Sequence, residues 1–117
     1  MRLLICGDRE WTNQSTIHSV LTNYDPNTTT VITGGARGAD KIAHFIASEL
    51  KMQTEVYEAD WVKFGKSAGP IRNSEMINKG KPDVVIAFHS DLSKSKGTAD
   101  TVRRAKKLNI PVFLFTE

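Results

Sequence analysis

Val31-Ile32-Thr33-Gly34-Gly35-Ala36-Arg37-Gly38-Ala39-Asp40 is the stretch on which the reading of this chain turns. Two β-branched apolar residues stop at Thr-Gly-Gly. A short turn then leads into Lys41–Lys51, where Ile42, Phe45, Ile46 and Leu50 recur at helical spacing. The pattern predicts strand, tight turn, helix. Gly34, Gly35 and Gly38 permit positive φ and leave room for a ligand to approach the backbone. The free N–H groups of the helix's first turn and its dipole favour an anion, and Arg37 adds a planar cation suited to phosphate. Spacing alone does not separate this arrangement from a plain strand-to-helix turn with a solvated arginine. The stretch is neither G-x-G-x-x-G nor a Walker A loop. Gly65-Lys66-Ser67 imitates a Walker A ending, but Asp60 stands where the earlier glycine is required.

Outward from this turn, apolar runs and helical patterns alternate along the whole chain. Leu3–Cys6 reads as a strand buried on both faces, followed by the loop Gly7-Asp8-Arg9-Glu10-Trp11. A first helix capped by Thr12 or Asn13 carries Ile17, Val20 and Leu21 inward. After the glycine turn and its helix, Glu55–Glu58 reads as an edge strand and residues 60–69 as a loop. A helix opening with Pro70 in its first turn ends at Lys79-Gly80. Asp83–Phe88 is a buried strand, Thr98–Leu108 a helix, and Val112–Phe115 a closing strand. Strict alternation predicts an α/β fold: one Rossmann-like three-layer domain over residues 1–117. Its five-stranded parallel sheet takes the order 3-2-1-4-5, with helices on both faces. Ligands of such sheets sit beyond the carboxyl ends of the strands, where loops 7–11, 34–40, 60–72 and 89–98 gather.

The 117 residues suffice for one core, and 39% hydrophobic with 25% charged content is ordinary for a globular chain. Cys6, the lone cysteine, excludes an intramolecular disulfide and reads as a buried small hydrophobe in a reducing, cytoplasmic setting. No apolar run approaches a membrane span, and no signal peptide precedes the first strand, so no membrane association is expected. A net charge of +3 suits an anionic ligand without demanding nucleic acid.

The residues also carry a resemblance. Thr33–Asp40 with Ala43-His44 resembles the SG-x-ARGID-xx-AH signature of the DNA-processing (Smf/DprA) Rossmann-like domain. Gly69-Pro70-Ile71-Arg72-Asn73 resembles that family's second motif, and Lys96-Gly97-Thr98 its third glycine loop. With the pattern running from Ala68 to Met76, the chain is identified as a member of the SLOG superfamily, most similar to the small YspA-like branch of YpsA-related proteins. The resemblance covers nearly the whole chain. It implies a nucleotide sensor, a phosphoribohydrolase or a single-stranded DNA binder. The phosphoribohydrolase branch uses a catalytic glutamate in its glycine loop. Thr101 stands at that position here and Asp100 is one residue out of register, so the resemblance implies no hydrolase of that type.

The expected ligand set is therefore Gly7, Asp8, Arg9, Trp11, Gly34, Gly35, Arg37, Gly38, Asp40, Trp61, Arg72, Asn73, Lys96, Gly97 and Thr98. Glycines would give a phosphate access to backbone, Arg37 and Arg72 would supply charge, and Lys96–Thr98 a second cradle. Trp11 or Trp61 would provide a platform for a base. Arg72 is weighed against an ion pair with Asp60 or Asp83. Asp40 is read as a first-turn acid, and Asp40–His44 as surface pairing, since two ligands are too few for a metal. His89, at the end of its strand, is weighed as a phosphate contact or acid against a satisfied loop histidine. Arg103, Arg104, Lys106 and Lys107 read as an outward, solvated face. The expected partner is a nucleotide or nucleotide-derived small molecule, bound without turnover. No other cofactor is implied, nucleic-acid binding would be weak, and a homo-oligomer is left open.

Overall fold

β1 (Arg2–Gly7) forms the middle of the sheet because its side chains are apolar on both sides: Leu3 and Ile5 enter one core, Leu4 and Cys6 the other. The computed structural model describes residues 1–117 and flanks this strand with β2 (Thr30–Thr33) and β4 (Val84–Phe88). β3 (Gln53–Val56) lies outside β2, and β5 (Val112–Phe115) outside β4. All four pairings are parallel, so the order is the expected 3-2-1-4-5. The protein is a Rossmann-like α/β domain.

α1 (Gln14–Leu21) and α2 (Ala39–Glu49) bury Ile17, Leu21, Ala43, Ile46 and Ala47 against Leu3, Ile5 and Ile86. A single helical turn, α3 (Trp61–Phe64), and a 3-10 turn (Gly65–Ser67) lead into α4 (Ala68–Asn78). With α5 (Gly97–Lys107), α4 covers the opposite face: Met76, Ile77, Val102 and Ala105 pack on Leu4, Cys6, Ile32 and Val85. Each fully buried Leu or Ile of these layers contributes about 1.5–3 kcal/mol of transfer free energy. No helix is long and apolar enough to cross a membrane.

Several boundaries differ from the sequence expectation. β3 lies two residues earlier than Glu55–Glu58, because buried Met52 fixes the entry and Thr30 pairs with Gln53. The expected loop over 60–69 is largely helical. Asp60 caps α3 by accepting from the Lys63 N–H at 3.0 Å, and the chain continues through the 3-10 turn without a break. α4 therefore opens at Ala68, which places Arg72 and Asn73 in its second turn rather than its first. For α1, Asn13 is the cap, its Oδ1 accepting from the Thr16 N–H at 3.2 Å.

Candidate functional site

Two adjoining cavities open at the carboxyl edge of the sheet. The larger, about 420 Å³, lies at the ends of β1 and β4; Asp8, Arg9, Arg72, His89, Lys96 and Thr98 are among its lining residues. A second cavity of about 400 Å³ is lined by residues including Gly35, Glu58 and Trp61. Arg9, Ala36, Arg37 and Arg72 border both, so a row of cations divides one cleft into two chambers. Such volumes suit a small ligand.

The Gly34–Asp40 turn is occupied by the protein itself. Asp40, expected as a surface acid helping the helix dipole, is buried; its Oδ2 accepts from the Gly34 N–H at 3.1 Å and the Ala36 N–H at 3.3 Å. The Ala39 N–H donates to the Asp8 carbonyl at 3.1 Å, docking the start of α2 on the loop after β1. The glycines serve the same closure. A Cβ on Gly34 would overlap the Arg72 guanidinium, and one on Gly38 would overlap the Asp8–Arg9 backbone. At Gly7 it would meet the Phe88 carbonyl and Ala39. Close internal packing, rather than ligand access, is what excludes side chains at these positions. Burial pushes the Asp40 carboxyl up to about 6, against the opposing pull of the two N–H groups and the Arg72 charge.

Arg72 bonds neither Asp60 nor Asp83. Its Nη1 donates to the Gly34 carbonyl at 2.6 Å and its Nε to Asn73 Oδ1 at 2.9 Å. Asn73, 3% exposed, donates in turn to Asp100 Oδ2 at 3.1 Å and weakly to the Gly97 carbonyl at 3.4 Å. Asp100 also binds Arg103 and, at 2.9 Å, Arg104. Those two arginines thus fold over a buried carboxylate and are not part of a merely solvated face. The chain Gly34–Arg72–Asn73–Asp100 ties the first glycine turn to α5 through α4. Burial lowers the Arg72 pKa from its ordinary value, the mark of a partly desolvated cation that an anion in the cleft would compensate.

The second turn, residues 95–98, is built differently. The Ser95 hydroxyl accepts from the N–H groups of Thr98 at 3.0 Å and Ala99 at 3.4 Å, so Ser95 is the cap of α5. Thr98 is buried and lines the cavity. A Cβ on Gly97 would meet nothing within 4 Å. Ser95 belongs to the cavity wall yet lies outside the expected ligand set, although a serine just ahead of a helix is the usual cap signal. Across the cavity His89, 9% exposed, accepts from the Asp91 N–H through Nδ1 at 3.0 Å, and its Nε2 lies 4.0 Å from Asp8 Oδ2. Glu10 and Glu58, also wall residues, had no spacing signal to reveal them.

Other expected site residues divide. Arg9, Gly35, Lys96 and Trp61 reach the cleft, and Trp61 is 52% exposed. Arg37 also lines it but is paired with Glu10 at 2.6 Å on the outer rim. Trp11 does not line it. Its ring is 7% exposed, lies 5.6 Å from that of Phe88, and donates through Nε1 to the Asn13 carbonyl. It is a core residue, not a base platform. The expected Asp40–His44 surface pair is absent, since Asp40 turns inward and His44 Nδ1 is buried without a partner.

Residues 1–64, which carry β1, the first glycine turn, α2 and β3, match the model of the YspA, cpYpsA-related SLOG family. The chain belongs to this family. It is also similar to the Gene 61 protein of Mycobacterium phage D29, with 39% identity over 122 residues spanning 97% of this chain and 95% of the phage protein. In this SLOG protein Thr101 sits on α5 facing the cavity, and its Oγ1 donates to the Gly97 carbonyl at 3.3 Å. The site thus has a neutral hydroxyl where the phosphoribohydrolase resemblance would require a carboxylate.

Proposed function

We propose that the cleft binds a nucleotide or nucleotide-derived small molecule and that the protein acts as a ligand-binding or sensor protein rather than a hydrolase. The observation that carries this reading is the convergence of Arg9, Arg37, Arg72 and Lys96 with the open start of α5 on one cavity at the carboxyl edge of the sheet. Phosphate belongs beside Gly97, where side-chain space is free; the Thr98 and Ala99 N–H groups are held by Ser95, so Lys96 supplies the charge. The Trp61 face and the Glu58 carboxylate in the neighbouring chamber suit a base, one by stacking and the other by accepting from an amino group. A hydrolase is disfavoured because Thr101 offers no acid or base.

Isothermal titration of the purified protein with AMP, ADP and pyrophosphate tests the reading. Binding is expected, weakened about 10- to 100-fold by Lys96→Ala, since a charge-assisted hydrogen bond contributes about 1.5–3 kcal/mol. Unchanged affinity in that variant would move the site elsewhere. Tight oligonucleotide binding at physiological salt, in competition with AMP, would replace the small-molecule reading by a nucleic-acid one.

A further inference from the structure

We infer that Asp8 and His89 form a hydroxyl-reading pair, so that the ligand of the larger chamber is a phosphorylated sugar, free or within a nucleotide, with its hydroxyls intact. This rests on the cationic cleft being the ligand site proposed above, but not on the ligand carrying a base. The tautomer of His89 follows from its neighbours. Nδ1 accepts the Asp91 N–H at 3.0 Å, so the neutral ring carries its proton on Nε2. Nε2–H therefore faces Asp8 as a donor. On Asp8, Oδ1 already accepts from the Glu10 N–H at 2.9 Å, which leaves Oδ2 as the acceptor facing the histidine.

The separation of Nε2 and Oδ2 is 4.0 Å, too long for a direct hydrogen bond. An oxygen about 2.8 Å from both atoms would subtend roughly 90° between them, within reach of hydroxyl hydrogen-bond geometry. That oxygen must accept from Nε2–H and donate to a carboxylate. An ionised phosphate oxygen cannot donate and would be repelled by Asp8, whereas a hydroxyl does both. The pair shares its chamber with Arg9, Lys96 and Thr98, so the hydroxyl belongs to a molecule that also bears an anion. Asp8 and His89 are both more than two-thirds shielded from solvent, which sharpens discrimination against an analogue that leaves them unpaired.

The experiment measures calorimetric affinities of the full chain for AMP, its 2′-deoxy and 3′-deoxy analogues, ribose 5-phosphate and pyrophosphate. At least one deoxy analogue is expected to bind about tenfold or more weakly than AMP. Asp8→Asn turns the Oδ2 position into a second donor and His89→Leu removes the first, so either should bring AMP and the deoxy analogues together. His89→Gln places an amide N–H near Nε2 and should restore part of the preference. Melting curves identify the folded variants; none of these should lose pyrophosphate binding, and Asp8→Asn, which removes a negative charge from the chamber, should strengthen it. Equal binding of AMP and both deoxy analogues overturns the hydroxyl pair and leaves the nucleotide reading standing. Failure of AMP, with ribose 5-phosphate binding better than pyrophosphate and losing that advantage in His89→Leu, overturns the nucleotide reading and keeps the pair. A protein that binds none of the five ends both.

Discussion

The two glycine turns of this protein look alike in sequence and are packed differently. In the first, before α2, Asp40 takes the N–H groups of Gly34 and Ala36, the Asp8 carbonyl takes that of Ala39, and the space of missing side chains is filled by Arg72 and the Asp8–Arg9 backbone. In the second, before α5, Ser95 caps the helix from one side while Gly97 faces open space. The first turn is a hub that fixes where Arg9 and Arg72 stand. The second leaves its glycine open to the cleft. A glycine-rich turn is therefore not by itself a ligand site; what matters is who fills the space that the glycines leave.

The sharpest way to break this contrast is to add one methyl to each turn. Gly38→Ala puts a Cβ at φ 76° into the Asp8–Arg9 backbone and should cost about 3–5 kcal/mol, seen in urea unfolding. Gly97→Ala should stay within about 0.5 kcal/mol of the parent. Comparable losses would mean that both turns are hubs.

The buried Asp40 carboxyl gives the first turn a pH signature. Its folded pKa, about 6, lies above the ordinary value near 4 of the unfolded chain. Between those values the folded state holds the extra proton, so stability falls as pH rises through this window and levels off above it, by about 3 kcal/mol in all. Asp40→Asn should lack that fall. Unfolding series of both proteins from pH 4 to 7 check it, and parallel curves would mean that burial does not govern this group.

At the second turn the effects move from stability to binding. Lys96→Ala should lower pyrophosphate affinity by about 1.5–3 kcal/mol with no change in melting temperature, because Lys96 is exposed and makes no ion pair. A drop in melting temperature instead would make Lys96 structural. The smallest effect belongs to Ser95→Ala, which removes the cap of α5 and should cost about 1 kcal/mol of stability. No loss there would mean that the Ser95 hydroxyl does not stabilise the start of α5.

Periodicity and turn chemistry are local properties, and they alone determined the strand–helix alternation, the parallel sheet, its order and the carboxyl edge where the loops gather. Cys6 as a core residue and the approximate ends of β1, β5 and α5 followed from the same local patterns. Partners distant in sequence decided the rest. Arg72 reaches Gly34 across 38 positions, Asn73 reaches Asp100 across 27, and Trp11 is covered by Phe88 from a strand on the far side of the chain. Whether a glycine faces a ligand or a guanidinium, whether an aspartate helps a dipole or clamps a loop, and whether a tryptophan is rim or core depend on what packs against it. Backbone spacing along one segment carries no information about that neighbour, so only the tertiary structure distinguished the filled turn from the open one.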